Sequence, residues 1–162
     1  MKIMVVSDTH GFIDNFRLAK RKEGKVDVVV HCGDIEGDEE ELQEIADCPV
    51  YMVGGNNDFF SGLPRELEFT LGGRKVFLTH GHQYYVSTSG QVITREAMER
   101  GATIVMYGHT HRPVVEQQKN VLVLNPGSLT YPRQNGRKPS YIMLIIEEDK
   151  TARATIRYLF ED

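Results

Sequence analysis

The sequence predicts an α/β fold built as a four-layer α-β-β-α sandwich, with two mixed sheets face to face and helices outside them. Three observations point there. Short Val-rich runs recur through the first third, separated by segments of helical period. The second half instead strings strand-like runs together through tight turns. Glycine follows the strand-like runs repeatedly, where a chain must turn sharply.

Lys2–Ser7, Val26–His31 and Val50–Gly54 are continuous apolar runs, as expected of strands buried on both faces. Between the first two lies Ile13–Lys22, whose Ile13, Phe16 and Ala19 share one helical face. Asp38–Ala46 separates the second and third; its acidic first turn suits the positive end of a helix dipole and is otherwise a solvated helix start. Strand–helix–strand order predicts right-handed parallel crossovers.

Phe69–Leu71 and Lys75–Thr79 flank Gly72-Gly73, a hairpin turn. Gln91–Arg100 reads as a helix stopped by Gly101. Thr103–Tyr107, Val114–Gln118, Val121–Asn125, Ser140–Glu147 and Ala152–Leu159 read as strands, so this half is expected to be mostly antiparallel. Asn125–Ser128 (NPGS) has the residues of a type II turn and is expected to line the pocket. Ser128–Pro139 reads as an exposed loop. With no repeat, linker or low-complexity stretch, residues 1–162 are expected to form a single domain.

Composition narrows the function classes. The chain is 40% hydrophobic and 26% charged, a globular balance, and its 19 basic against 23 acidic residues give −4. That argues against a broad nucleic-acid surface, which needs basic patches, and no such patch is evident. A small phosphorylated substrate held through a metal stays compatible. No run nears the roughly 18 apolar residues of a membrane-spanning helix. The N-terminal apolar run ends at Ser7-Asp8, too short for a signal peptide, so a cytoplasmic location is expected. Cys32 and Cys48 form no CxxC pair and read as reduced thiols.

All six histidines sit at or just past the end of a predicted strand: His10, His31, His80, His82, His109 and His111. The acids and amides follow them: Asp8 in SDTHG, Asp34 in HCGDIEG, and Asn56, Asn57 and Asp58 in GGNNDFF. Strand carboxyl ends are where open α/β sheets bind ligands. Asp, His and Asn are oxygen and nitrogen donors suited to Mn²⁺, Ni²⁺, Fe²⁺ or Zn²⁺. Seven candidate ligands exceed what one tetrahedral ion takes and suit two ions sharing a carboxylate. His31 reads as structural by strand alternation. Asp58 either orients a neighbouring histidine or caps its turn. Phe59-Phe60 is either a contact between copies of the chain, making a homo-oligomer, or a pocket wall.

The ordered series D-x-H (Asp8, His10), G-D (Gly33, Asp34), G-N-x-D (Gly55, Asn56, Asp58), H-G-H (His80, Gly81, His82) and G-H-x-H (Gly108, His109, His111) resembles the calcineurin-like metallophosphoesterases, and the later NPGS run looks like their compact YfcE-type phosphodiesterases. The resemblance implies the same α-β-β-α fold. It implies one metal on Asp8, His10, Asp34 and His111, a second on Asp34, Asn56, His80 and His109, and a bridging hydroxide as nucleophile. Two divalent metals are thus the expected cofactors, Mn²⁺ being favoured, and a small phosphodiester the expected substrate. Asn57 stands where larger members carry a histidine, and an amide cannot act as a general acid. His82 and Arg133 are candidate substrate contacts. The alternatives are a non-catalytic scaffold, as in the family's retromer subunit, and a phosphomonoesterase.

Overall fold

A computed structural model describes residues 1–161. In chain order the elements are β1 (Lys2–Val6), α1 (Asp14–Glu23), β2 (Val28–His31), α2 (Glu39–Ala46), β3 (Val50–Met52), β4 (Glu66–Leu71) and β5 (Arg74–Thr79). A short 3-10 turn (His82–Tyr84), α3 (Gln91–Glu99), β6 (Ile104–Met106), β7 (Pro113–Gln118), β8 (Val121–Pro126), β9 (Ser140–Ile146) and β10 (Ala152–Tyr158) follow. They form two five-stranded sheets, ordered β10-β9-β1-β2-β3 and β4-β5-β6-β8-β7.

Strand alternation explains the layering. Ile3, Val5, Val28 and Val30 of the first sheet meet Val76, Leu78, Ile104, Met106 and Leu124 of the second in one buried cluster. The intervening Met4, Val6 and Val29 face the opposite way, onto Phe16 and Ala19 of α1 and Leu42 and Ala46 of α2. On the far side Phe77, Val105 and Val123 pack on Ile93 and Ala97 of α3. β1, β2, β5, β6, β8 and β9 thus bury both faces over most of their length, which is why they read as near-continuous apolar runs, whereas β4, β7 and β10 leave residues exposed. Fully burying one such side chain contributes about 1.5–3 kcal/mol.

β1, β2 and β3 pair in parallel, and β9 and β10 close that sheet antiparallel. Gly72 and Gly73 make the β4–β5 hairpin turn with Leu71 paired to Arg74, and both have φ > 0 (54° and 79°), as a primed turn demands. The second half is mostly antiparallel, as expected, through β4–β5, β7–β8 and β9–β10, but it holds a parallel stretch that the sequence did not announce. α3 crosses over between β5 and β6, which therefore pair in parallel. The β7–β8 hairpin then returns β8 parallel to β6, leaving β7 on the edge. Pro113 opens that edge strand, where its missing N–H is harmless.

NPGS also differs from expectation. Asn125 and Pro126 continue β8 rather than turning, and Asn125 and Ser128 are fully buried beneath the rim instead of lining a pocket. The Asn125 side chain occupies the local donors and acceptors, accepting from the Gly127 amide at 2.9 Å and donating to the Gly108 carbonyl at 3.1 Å. The loop beginning at Ser128 is exposed only from Tyr131 onward; Leu129 is buried against α1 and its neighbours. Glu66–Glu68, the charged start of β4, is strand that apolar patterning did not reveal.

Candidate metal centre

The loops that leave β1, β2, β3, β5 and β6 converge at one rim and are laced by backbone bonds. Asp8, His10 and Gly11 amides donate to the Gly33, Asp34 and Ile35 carbonyls at 2.8–3.0 Å, which zips the first loop to the second. The Gly108 amide donates to the His80 carbonyl at 3.0 Å, joining the last two. The His109 amide donates to Asp8 Oδ2 at 3.0 Å and couples the two sheets. Asp58 does not touch a histidine. Its carboxylate accepts the Ile35, Glu36 and Gly55 amides at 2.8–3.2 Å and so caps the turn and pins the second loop to the third.

Asp8, His10, Asp34, His109 and His111 all have φ between 48° and 68°. Non-glycine residues seldom adopt this region, and each costs of order 1–3 kcal/mol that the surroundings must offset. Five such residues at one rim indicate a geometry held for its side chains rather than for stability.

Those side chains converge. Asp8 Oδ1 lies 3.1 Å from His111 Nε2, 3.5 Å from His10 Nε2 and 3.9 Å from His80 Nε2. Asp34 Oδ2 lies 3.3 Å from His80 Nε2 and 3.9 Å from His10 Nε2, reaching toward both. Two donor triplets have all ligand atoms within 4.8 Å of one another: Asp8, His10 and His111, and Asp8, Asp34 and His80. Asn56 Oδ1 meets His109 Nδ1 at 3.1 Å, and the His109 ring is 5.1 Å from that of His80. All seven candidate ligands therefore stand on one continuous cluster.

The back of each ring is anchored. His80 Nδ1 donates to the Cys32 carbonyl at 2.8 Å, and His111 Nδ1 to the Tyr131 carbonyl at 2.7 Å. His10 Nδ1 faces Glu36 Oε2 at 3.0 Å. Such bonds fix the tautomer and leave the Nε2 lone pair facing the carboxylates. Sequence reasoning had not singled out Glu36 or Tyr131; Ser128, read there as part of a pocket-lining turn, instead donates its Oγ to the Asp8 carbonyl at 2.7 Å. Glu36 had a signal: it is the second acid of GDIEG.

Electrostatics show what the cluster lacks. Burial disfavours the Asp8 carboxylate, yet the close approach of His10 and His111 and the charge of His80 hold its pKa well below the usual range. Burial likewise opposes Asp34, while His80 and the Asn57 amide bring it down to about 2. Burial opposes protonation of His10 and His80, but Asp8 and Asp34 raise both pKa values. Among the described residues neither carboxylate meets a lysine or arginine. Asp8 Oδ1 and His80 Nε2 are buried without any hydrogen-bond partner. Buried charges are paired or bind metals, so a cation fits this donor set.

The other named residues stand around the cluster. Asn57 is exposed and donates its backbone and side-chain N–H to Asp34 at 2.9 Å each. The His82 ring is 5.5 Å from that of His80; burial, then the charges of His80 and His109, lower its pKa. Arg133 is tied to the site through its backbone amide, which donates to the His111 carbonyl at 2.9 Å. His31 is a fully buried core residue, within 3.0 Å of Thr9 Oγ1 and accepting the Gly33 amide at 3.1 Å.

Known proteins are similar to this chain in sequence or fold. "Probable metallophosphoesterase YsnB" of Bacillus subtilis is 36% identical over 159 residues, 98% of this chain and 90% of its own. "Phosphodiesterase MJ0936" of Methanocaldococcus jannaschii is 31% identical over 146 residues, 78% of this chain and 83% of its own. The fold also matches Vps29 of Entamoeba histolytica, solved with Zn²⁺, at TM-score 0.76 and 22% identity, over 98% of this chain and 99% of that one. The family described as "Calcineurin-like phosphoesterase superfamily domain" matches residues 1–149, which include every candidate ligand, and the chain belongs to that family.

Proposed function

We propose that the protein is a two-metal phosphodiesterase, formed by residues 1–162 as one domain and working in the cytoplasm. The observation that carries this reading is the pair of buried carboxylates, Asp8 and Asp34, facing histidine nitrogens with no lysine or arginine among the described residues to neutralise them. Asp8, His10, Asp34 and His111 would hold one ion; Asp34, Asn56, His80 and His109 would hold the other. Such ions supply Lewis-acid charge and an activated water when bound.

The chain's own groups do the rest. Glu36 and the carbonyls of Cys32 and Tyr131 orient His10, His80 and His111. Asn57 positions the Asp34 carboxylate through its two donated hydrogen bonds. Arg133, exposed beside His111, supplies a guanidinium for phosphate oxygens. The donor set suits Mn²⁺ first, with Ni²⁺, Fe²⁺ and Zn²⁺ as close competitors. The "Phosphodiesterase" name of MJ0936 supports the diester over the monoester.

The test compares aryl phosphodiester and aryl phosphomonoester hydrolysis with Mn²⁺ present. Faster diester turnover supports the proposal, and preference for the monoester makes the protein a phosphomonoesterase. Turnover of neither, with metals verified as bound, leaves the scaffold reading.

A further inference from the structure

Two exposed aromatic rings stand beside the metal cluster. Phe12 is 57% exposed and Tyr131 49%. Their rings meet edge-on at 6.1 Å between centroids, and the Tyr131 ring lies 5.4 Å from that of the candidate ligand His10. Apolar side chains scattered singly over a surface need no explanation, but a pair in contact at the mouth of a site does. The Tyr131 hydroxyl is also free of the ties that hold other tyrosines. Tyr84 and Tyr141 donate theirs to Glu66 and Glu23, whereas Tyr131, among the described residues, bonds only through its backbone.

The backbone beneath the pair is tied to the metal-ligand turn. The Phe12 amide and the Thr130 hydroxyl both donate to the Thr9 carbonyl, at 3.0 and 2.8 Å, which joins the loop after β1 to the loop after β8. The Tyr131 amide donates to Ser128 Oγ at 2.8 Å, and that hydroxyl donates to the Asp8 carbonyl at 2.7 Å. The Tyr131 carbonyl in turn accepts from the His111 ring at 2.7 Å. Both aromatic residues are therefore carried at a fixed place beside Asp8, His10 and His111. Groups fixed before a ligand arrives lose little freedom on binding it. An exposed edge-on pair offers faces and edges to a further flat ring, a contact that adds to the burial of apolar area.

We propose that Phe12 and Tyr131 form a wall that takes a flat ring, a nucleobase or an aryl group, carried on one ester group of the phosphodiester whose phosphate lies at the metal cluster. The assignment rests on the phosphodiesterase reading and adds the substrate class to it. Phe12 and Tyr131 are then specificity residues on the His10 and His111 side of the cluster. A saturated ester group of equal size meets the same wall without the ring contact, and a bare phosphate leaves the wall unused.

The experiment is calorimetric titration of the Mn²⁺-loaded and the metal-stripped protein with two ligand pairs. Benzylphosphonate against cyclohexylmethylphosphonate varies flatness at nearly equal size, and thymidine 5′-monophosphate against deoxyribose 5-phosphate varies the base. The loaded wild type should bind the flat member tighter, by about threefold or more in the first pair or about fivefold or more in the second. A preference in the first pair alone assigns an aryl ester, and one in the second alone a nucleotide. It should need bound Mn²⁺, fall toward unity in Phe12→Ser and in Tyr131→Leu, and survive in Tyr131→Phe. No preference in either pair, or one that survives both Phe12→Ser and Tyr131→Leu, overturns the wall and leaves the phosphodiesterase reading standing. A preference that persists in the stripped protein overturns it too. Equal weakening of all four ligands in Tyr131→Leu, with less bound Mn²⁺, makes that ring a support for His10 and overturns its role in specificity. A metal-dependent preference that the variants lose, without turnover of any diester, supports the wall and overturns the hydrolytic reading alone.

Discussion

Gly55→Ala should disable the metal centre without removing a single ligand. A methyl group at Gly55 would stand 2.1 Å from Asp34 Oδ1 and 2.6 Å from the Asp34 backbone nitrogen. Ordinary contact begins at 3.4 Å, so the carboxylate must retreat 1.3 Å (3.4 minus 2.1) and the backbone 0.8 Å (3.4 minus 2.6). Neither can yield cheaply. Asp34 already sits at φ 56° and is held by the Asn57 amide, while its carbonyl accepts the His10 amide at 2.9 Å. Overpacking of this kind costs about 1–3 kcal/mol, and each kcal/mol lowers Tm by about 2–4 °C in a chain of this size. A displacement of about 1 Å at a catalytic group costs roughly 10²-fold in rate. The variant should keep a native circular dichroism spectrum, melt several degrees lower, bind less Mn²⁺ at limiting metal, and turn over bis(p-nitrophenyl) phosphate about a hundredfold more slowly. Wild-type metal stoichiometry together with wild-type turnover would refute the claim that Asp34 is placed for metal by the bare backbone at Gly55.

Other outcomes follow from the same geometry. Burial lowers the His31 pKa from 6.5 to about 4, so its neutral form contributes stability in full above pH 6.5 and loses it as pH falls toward 4. The difference in unfolding free energy, from urea titrations, between the metal-free wild type and His31→Gln should therefore change across that window by up to about 3 kcal/mol, and a difference independent of pH would remove His31 as its source. Asn57 cannot give a proton, and burial with the neighbouring His80 and His109 lowers the His82 pKa, so aryl esters should be cleaved far faster than alkyl esters, the missing acid being worth roughly 10²–10⁴-fold. The steep dependence on leaving-group pKa should persist in His82→Ala; a shallow wild-type slope that steepens in that variant would make His82 the acid. Arg133→Ala should raise KM for the diester by about tenfold with metal content unchanged, and an unaltered KM would detach Arg133 from the substrate.

The strands were legible because burial on both faces writes itself as continuous Val and Ile, and Gly72-Gly73 announced its hairpin. The direction of β8 was not, since it depends on which partner a returning hairpin finds, a long-range choice without local signature. Asn125–Ser128 misled for a related reason. Turn-forming residues were read by their own backbone preferences, whereas tertiary bonds to Gly108 and Asp8 decide their conformation. The cluster of Asp8, Asp34 and the histidines could be anticipated because every member ends a strand and such ends share a rim. The anchoring carbonyls of Cys32 and Tyr131 could not, because any residue offers a carbonyl.

The most direct test of the proposed metal-dependent phosphodiesterase activity is a single titration of turnover against bound metal. The protein is stripped with chelator, verified as metal-free, and returned to Mn²⁺ in steps, with bis(p-nitrophenyl) phosphate turnover and metal content read at each step, beside Asp34→Asn. Turnover should be absent from the stripped protein, rise as two ions per chain are restored, and stay low in Asp34→Asn, which should hold fewer than two. Undiminished turnover by verified metal-free protein, or Asp34→Asn that binds two ions and turns over normally, would contradict it.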